Sequence, residues 1–363
     1  MKNLHSSRPV AIWLLVGVGM LVVQIILGGI TRLTGSGLSI TEWEVITGTL
    51  PPLNNQNWVE EFQKYQQTSQ YILLNTDFKL ADFKFIFFWE WLHRFWARLI
   101  GVVFLIPFIF FLIQRRFRPD MIGPLIILFL VGVLQGTVGW LMVQSGLDGD
   151  AIYVKPARLA LHFIFAMGLL CFTLWFALKL LIKEKDIVPA SSLKKLTIWI
   201  IALLTVQLIF GALMAGHKAA PAAPTWPSIN GSFIPSYIFN RPEGLRSLVE
   251  NPVVIQFVHR MLAYLLVIII LMWSIKAYSK KTSVLFAQVR ILPLIFVLLQ
   301  LILGIFTVLT SINIRPTRWN TFEWMAQLHQ VTALLLLLSL IFVLSLQRKR
   351  FVKQVNSIDT PVI

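Results

Sequence analysis

Eight runs of about 20 apolar residues dominate the sequence, and each is long enough to cross the roughly 30 Å hydrocarbon core of a bilayer as a helix. Their limits lie near residues 10–30, 88–113, 121–143, 159–182, 196–216, 255–275, 288–310 and 325–346. Hydrophobic residues make up 57% of the chain and charged residues 13%, about half the charged share of a soluble domain. The sequence therefore predicts an all-α integral membrane protein with eight transmembrane helices, the first of which is a retained anchor.

Basic residues mark the ends of these runs and form no separate patch. Four short segments between or after the spans are rich in Lys and Arg, namely 114–120, 179–195, 276–290 and 347–353. The long connections 31–83 and 217–254 carry few basic residues for their length. Under the positive-inside rule, both termini are predicted to be cytoplasmic. The net charge of +16 then reflects topology and contact with anionic lipid, and no nucleic acid is expected as a partner.

Four histidines recur in register near the outer starts of the second, fourth, sixth and eighth spans. They are His93, His162, His259 and His329, with 166 residues between the first and third and 167 between the second and fourth. The odd-numbered spans share a different pattern, Gln-x-x-x-Gly, which begins at Gln24, Gln135, Gln207 and Gln300. This repeat predicts two tandem four-helix bundles, residues 1–190 and 191–363, related by a pseudo-twofold axis along the membrane normal.

Two histidines on different helices of one four-helix bundle are typical of bis-histidine ligation of haem iron. Zinc or copper usually needs a third or fourth ligand, and none recurs with the repeat. The single cysteine, Cys171, excludes an intramolecular disulfide, a CxxC pair and covalent haem attachment through CxxCH. His5 and His217 lie outside the register and are expected to be solvated. The Gln-x-x-x-Gly pattern fits two interpretations, close backbone approach to a flat macrocycle or ordinary small-residue helix packing.

The two halves differ next to their first histidine. Glu90 precedes His93 by three residues, which puts the carboxylate on the same helical face one turn away. The equivalent residue before His259 is the neutral Gln256. We therefore expect the N-terminal site to perform chemistry, with Glu90 as its catalytic residue, and the C-terminal site to store or transfer electrons.

Three arginines near the outer surface, Arg94, Arg98 and Arg260, are candidates for binding haem propionates. A guanidinium group matches a carboxylate with two parallel hydrogen bonds, which suits this role. The alternative is that these arginines lie at the membrane interface and extend their charged groups into water. A structural role for Glu90, in an ion pair with Arg94 or Arg98, is the alternative to catalysis.

Several segments together resemble the haem A synthase family. They include "TRLTGSGLS" (31–39), "EWLHR" (90–94), "RLALHF" (158–163) and "QFVHRMLAY" (256–264), within a similarity that runs from about residue 24 to about residue 335. The chain is similar to the branch shared by mitochondria and many Gram-negative bacteria, since it lacks the cysteine pair that the other branch carries in its first outer loop. One stretch departs from the family, residues 216–235, where Lys218 replaces an aspartate.

The resemblance implies an enzyme that oxidises the C8 methyl group of haem O to the formyl group of haem A by successive hydroxylations, for use in cytochrome c oxidase. It also implies that His93 and His162 bind haem O as the substrate, that His259 and His329 hold a permanent haem b, and that Glu90 is the essential carboxylate. The bacterial inner membrane is the expected location, with the lipid bilayer around the chain. A haem O synthase and an electron acceptor are expected partners, and assembly as a homo-oligomer is left open.

Two other classes of protein share parts of this pattern. A dihaem b-type cytochrome, the electron-transfer subunit of a quinone oxidoreductase, needs the same four histidines but neither Glu90 nor an exchangeable site. A transporter built from parallel repeats needs intramembrane His and Glu for protons, together with broken helices near the midplane. The polar residues of this chain cluster at helix ends on one side, which argues against the transporter.

Overall fold

Eight helices of the structure, a computed structural model, are long and apolar enough to cross a membrane, and this confirms the predicted all-α membrane architecture. The structure describes residues 8–43, 47–238, 244–279, 282–314 and 319–348, and these contain no β-strand. In chain order, the α-helices are α1 Arg8–Leu33, α2 Asn55–Gln66, α3 Ser69–Leu74, α4 Leu80–Ile113, α5 Pro119–Leu147, α6 Pro156–Leu181, α7 Ser191–Gly216, α8 Ser247–Glu250, α9 Pro252–Tyr278, α10 Val284–Val289, α11 Leu292–Thr310 and α12 Thr321–Leu346. The spanning helices are α1, α4, α5, α6, α7, α9 and α12, together with the interrupted pair of α10 and α11.

Proline and asparagine determine where the helices that carry two of the histidines begin. Pro156 and Pro252 occupy the first turn of α6 and α9, where a missing N–H breaks no helical hydrogen bond. Asn251 caps α9, because its side chain accepts from the backbone N–H two residues later at 3.0 Å. These starts place His162 and His259 in the second turn of their helices.

The helix α4 begins at Leu80, before the predicted start at residue 88, and its 34 residues extend about 51 Å. Charged residues lower the hydropathy of these extra turns, so the sequence pattern did not include them. In the structure the Lys79 N–H donates to the Asp82 carboxylate at 2.9 Å and caps the first turn of α4. The extra turns pack with α2 and α3 in an aromatic cluster that contains Tyr65. Burial raises the pKa of Tyr65 to about 12, so its phenol stays protonated at physiological pH. His93 lies 13 residues into α4, about 20 Å from the N-terminal end of the helix.

The seventh span, predicted as one run, is divided into α10 and α11 at Arg290 and Ile291. Pro293 favours the break because it has no N–H and its ring clashes with the carbonyl four residues earlier. Arg290 donates to the Ala277 carbonyl at 2.9 Å, and its guanidinium carbon lies 4.1 Å from the centroid of the Tyr278 ring. The break thus lies near the end of the span, next to the end of α9, and away from the midplane.

The packing of the spanning helices can be described for two groups of four in chain order, which contact each other through α1, α6, α7 and α12. In the first group α1 packs against α4 and α6, and α5 packs against α6. In the second group α7 packs against α9 and α12, and α11 packs against α12. Between the groups, α6 contacts α7 and α12, and α1 contacts α12. Lipid provides no hydrophobic gain for helix association, so close packing and hydrogen bonds hold the helices, such as that from Trp273 Nε1 to Thr197 Oγ1 at 2.8 Å.

The two groups are closed differently. In the C-terminal group α9 packs against α11 and completes a ring of helices. The equivalent helices of the N-terminal group, α4 and α5, are joined by the stacked rings of Phe104 and Phe129, whose centroids are 6.2 Å apart, but in the described part of the chain their backbones do not pack as closely as those of α9 and α11. Three glycines of α4 and α5 are exposed, and a Cβ added to any of them would meet no atom within 4 Å: Gly101, Gly132 and Gly136. Larger apolar residues stand at the equivalent positions of the repeat, namely Val267, Val297 and Leu301.

Candidate functional site

His259 of α9 and His329 of α12 face each other in the C-terminal group. Their ring centroids are 6.4 Å apart, and the ring planes are inclined by 69°. When two imidazoles bind the same metal ion from opposite sides, each with a nitrogen-to-metal distance of about 2 Å, their ring centroids are roughly 6 Å apart. Nδ1 of each ring is buried and has no hydrogen-bond partner among the described residues. The pair therefore fits a single iron atom between the two rings.

His93 of α4 and His162 of α6 form the corresponding pair in the N-terminal group. The two side chains lie close enough to interact electrostatically. Within the described residues, however, their rings make no contact like that between His259 and His329. Nor do three or more His, Cys, Asp or Glu side chains come together there as a metal cluster. Each half thus offers two histidines, the number that a bis-histidine haem requires.

Each Gln-x-x-x-Gly motif lies against the histidine of the following spanning helix. A glutamine amide nitrogen lies close to an imidazole nitrogen in all four cases: 3.2 Å for Gln24 and His93, 3.1 Å for Gln135 and His162, 3.3 Å for Gln207 and His259, and 3.1 Å for Gln300 and His329. A Cβ added to the glycine of the motif would lie only 2.7 to 3.3 Å from Cε1 of the same ring, at Gly28, Gly139, Gly211 and Gly304. The motif therefore contacts the candidate ligand itself, a relation that the sequence left undecided.

Glu90 is buried, with 2% of its surface exposed, and its carboxylate accepts four hydrogen bonds. Oε2 accepts from the Ser39 N–H at 2.8 Å, from the Ser39 hydroxyl at 2.7 Å and from the Ile40 N–H at 2.9 Å. Oε1 accepts from the Arg94 guanidinium at 2.6 Å. The ion pair that was the alternative to catalysis is therefore present, and the same carboxylate holds the segment after α1 against α4, one turn from His93.

Arg94 also holds the segment that follows α1, called the first outer segment (34–43) after its predicted side of the membrane. Its guanidinium donates to the carbonyls of Ile40 and Glu42, both at 3.1 Å. Lys64 of α2 binds the Glu42 carboxylate at 2.8 Å, and this hydrogen bond raises the pKa of Lys64 above its usual value. Arg98 lies one turn further along α4 on the same face as Arg94. The first outer segment is thus fastened to both α4 and α2, and propionate binding by these arginines stays a prediction.

The loop that departs from the family in sequence lies beside the C-terminal pair. Arg260 donates to the Ser228 carbonyl at 3.2 Å and to the Ala223 carbonyl at 3.1 Å. Gln256 donates to another carbonyl of this loop at 3.3 Å. Glu90 and Gln256, which are equivalent in the repeat, therefore both hold the loop that follows the preceding spanning helix. The carboxylate does so by accepting from backbone N–H groups and the amide by donating to a backbone carbonyl.

A polar contact between the halves escaped the sequence analysis. Gln330 of α12 donates to the Ile25 carbonyl of α1 at 2.9 Å, and Gln327 donates to the next carbonyl of α1 at 3.4 Å. Ile25 is adjacent to Gln24, and Gln330 is adjacent to His329. These hydrogen bonds therefore place the two histidine pairs at the same level of the helix bundle. The available signal was the segment "QLHQ", in which two glutamines flank the histidine.

Comparison with known proteins identifies the family. The COX15-CtaA family model, described as cytochrome oxidase assembly protein, matches residues 11–341. This chain belongs to the COX15-CtaA family. Heme A synthase of Flavobacterium johnsoniae is 38% identical over 345 residues, which cover 93% of this chain and 98% of that protein. Heme A synthase of Rhodospirillum centenum is 44% identical over 276 residues, or 75% and 74% of the two chains. For heme A synthase of Brucella suis, the identity is 38% over 311 residues, or 85% and 86%.

Membership of the COX15-CtaA family confirms the resemblance seen in the sequence. The matched region includes all four candidate ligands and Glu90. The segments "TRLTGSGLS" and "EWLHR", far apart in the sequence, meet in the structure, because Ser39 of the first donates to Glu90 of the second. Two of the segments that indicated the family thus form one contact of the site.

Proposed function

We propose that this chain oxidises the C8 methyl group of haem O to the formyl group of haem A, with haem O bound in the N-terminal half (1–190) and haem b held in the C-terminal half (191–363). The family and the relatives named heme A synthase support an oxidoreductase that acts on haem O. The haem A formed serves cytochrome oxidase, in keeping with the description of the family. The observation that carries the division between the halves is the different closure of the two helix groups.

A substrate haem must enter and its product must leave, whereas a permanent haem needs no exit. In the N-terminal group the rings of Phe104 and Phe129 join α4 to α5, but the two backbones pack less closely than those of α9 and α11, and the exposed Gly101, Gly132 and Gly136 place no side chain there. An opening within the membrane suits haem O, whose isoprenoid tail is apolar. In the C-terminal group the contact between α9 and α11, with Val297 buried, closes the equivalent route.

The four histidines are the proposed iron ligands. His93 and His162 bind the substrate haem, and His259 and His329 bind haem b. The 6.4 Å ring separation and the unpartnered Nδ1 atoms of the second pair support its assignment. Haem b, when bound, supplies one-electron transfer.

Glu90 is the proposed catalytic residue. The carboxylate of Glu90 is held in place by four hydrogen bonds, three from Ser39 and Ile40 to Oε2 and one from Arg94 to Oε1. We therefore assign Glu90 the electrostatic stabilisation of positive charge that develops beside the oxidised carbon, a role that an ionised, fixed carboxylate performs without reorganisation.

Three arginines complete the proposed site by facing the haem propionates: Arg94, Arg98 and Arg260. The guanidinium group of an arginine can bind two carboxylate oxygens at once. For Arg94 and Arg260, this contact adds to the hydrogen bonds with loop carbonyls or replaces them. Release of those carbonyls would loosen the outer loops when a haem enters or leaves.

The bacterial inner membrane is the proposed location, with both termini in the cytoplasm, and the basic inner segments support this orientation. Conversion of a methyl to a formyl group removes two hydrogen atoms and adds one oxygen atom, which is a four-electron oxidation. The reaction therefore requires an electron acceptor. It also requires a source of haem O, which is the product of a haem O synthase.

Extraction of the pigments from the purified protein tests the proposed function. We expect haem B together with haem O, haem A or the hydroxylated intermediate. Haem B alone would identify a b-type electron carrier, and the absence of haem would identify a protein of another class. Either result would contradict the proposal.

A further inference from the structure

Four glutamines, one beside each candidate iron ligand, have a buried side-chain oxygen without a hydrogen-bond partner among the described residues. The atom is Oε1 in each case, and its partner is missing among the described residues for Gln24, Gln135, Gln207 and Gln300. A buried acceptor left unpaired is energetically costly and calls for an explanation. Four equivalent cases in one repeat indicate a donor that becomes available when a ligand binds.

The nearest such donors are the histidine rings. The glutamine amide nitrogens lie 3.1 to 3.3 Å from ring nitrogens. Those of Gln24 and Gln135 also donate to the backbone carbonyl of the same histidine at 3.1 Å, which fixes their orientation. At Gln207 and Gln300 a half-turn of the amide exchanges its nitrogen and oxygen with little change in shape. An imidazole that binds iron through one nitrogen carries a proton on the other, and this N–H needs an acceptor. For His259 and His329, one ring nitrogen still has no partner among the described residues.

We propose that Gln207 and Gln300 are positioning residues, each with an Oε1 that accepts a hydrogen bond from the iron-bound imidazole of its partner histidine. The glycine one turn along the same helix lies against Cε1 and limits rotation of the ring. Together the glutamine and the glycine set the orientation of the ligand. The hydrogen bond also increases electron donation from the imidazole to iron, which favours the ferric state. The inference rests on the proposed function, because it requires haem on the histidines.

The test measures the midpoint potential of haem b in the full-length protein with Gln207→Glu or Gln207→Leu. A carboxylate is a stronger acceptor than an amide, so Gln207→Glu should lower the potential. Leucine offers no acceptor, so Gln207→Leu should raise it. The matched control is Gln330→Leu, which also removes a half-buried glutamine near the site. Because Gln330 donates to the Ile25 carbonyl and contacts no imidazole nitrogen, its replacement should leave the potential unchanged.

The potentials distinguish the outcomes. Equal potentials in the wild type and both Gln207 variants, with haem b bound, would overturn the inference. If Gln207→Leu loses haem b, the test rests on the midpoint potential of haem b in Gln207→Glu. A lower potential than in the wild type supports the inference, and any other result overturns it. A wild-type protein without haem b would overturn the proposed function instead, so the two failures are distinguishable.

Discussion

The substitution Glu90→Gln keeps the shape of the side chain and removes its negative charge. The amide oxygen can still accept from Ser39 and Ile40, but the amide nitrogen then faces the Arg94 guanidinium, so that two donors oppose each other. We expect a protein that folds and binds haem b but accumulates haem O or the alcohol intermediate.

The contacts of Glu90 set the size of the effect. A hydrogen bond to a charged group contributes about 1.5–3 kcal/mol, so loss of the Arg94 ion pair should loosen the first outer segment by about that amount. This local change leaves the packing of the spanning helices in place. Loss of one group that stabilises developing charge typically costs about 2.7–4 kcal/mol in the barrier, or about 10²–10³-fold in rate. Haem A output should fall accordingly.

The assay compares haem A with haem O and the alcohol among the extracted pigments, and the haem b content of the same sample reports folding. Ser39→Ala is the matched control, because it removes the hydroxyl donor at 2.7 Å but keeps the carboxylate charge and both N–H donors. It should reduce haem A output far less than Glu90→Gln. Normal haem A output from Glu90→Gln would refute the catalytic role, and equal losses in both variants would show that fastening of the outer segment explains the effect.

Three further predictions follow from the helix packing and the loop charges. Gly132→Val should slow haem O turnover several-fold while haem b is retained. The control Gly123→Val, at an equally open position of the same helix, should leave turnover unchanged. Equal turnover in the two variants would exclude entry of haem O between α4 and α5. Gly304→Ala would place Cβ 2.9 Å from His329 Cε1, so the haem b content should fall. An unchanged haem b content would show that this glycine is not needed for His329 to bind haem. Reporters fused after Lys185 should read cytoplasmic and those after Gly149 periplasmic, and the reverse pattern would invert the topology.

The spanning helices and the histidine register could be predicted because both depend on order along the chain. Apolar length determines whether a helix crosses the membrane, and spacing determines the level at which its side chains lie. The start of α4 at Leu80 was missed, since the Lys79 and Asp82 cap extends the helix through charged residues. The Gln-x-x-x-Gly motif could be found in the sequence, but its contact with the histidine could not be predicted, because that contact depends on how two helices are rotated against each other.

The partners of Glu90 could not be predicted in the same way. Two of its four hydrogen bonds come from backbone N–H groups of Ser39 and Ile40, about 50 residues earlier in the chain, and a backbone donor leaves no mark on residue type. The looser packing of α4 against α5 is likewise a property of the folded structure. Its signal in the sequence was Gly132 where the repeat has Val297, and this difference is interpretable only once the packing of the two helices is known.

The central claim is that one histidine pair holds a permanent haem b and the other binds an exchanging substrate. The most direct test is the haem b content of four purified single-alanine variants, at His93, His162, His259 and His329. The account predicts that the variants at His259 and His329 lose haem b, while those at His93 and His162 keep it and lose haem O turnover. The same haem b content in all four variants would contradict the account.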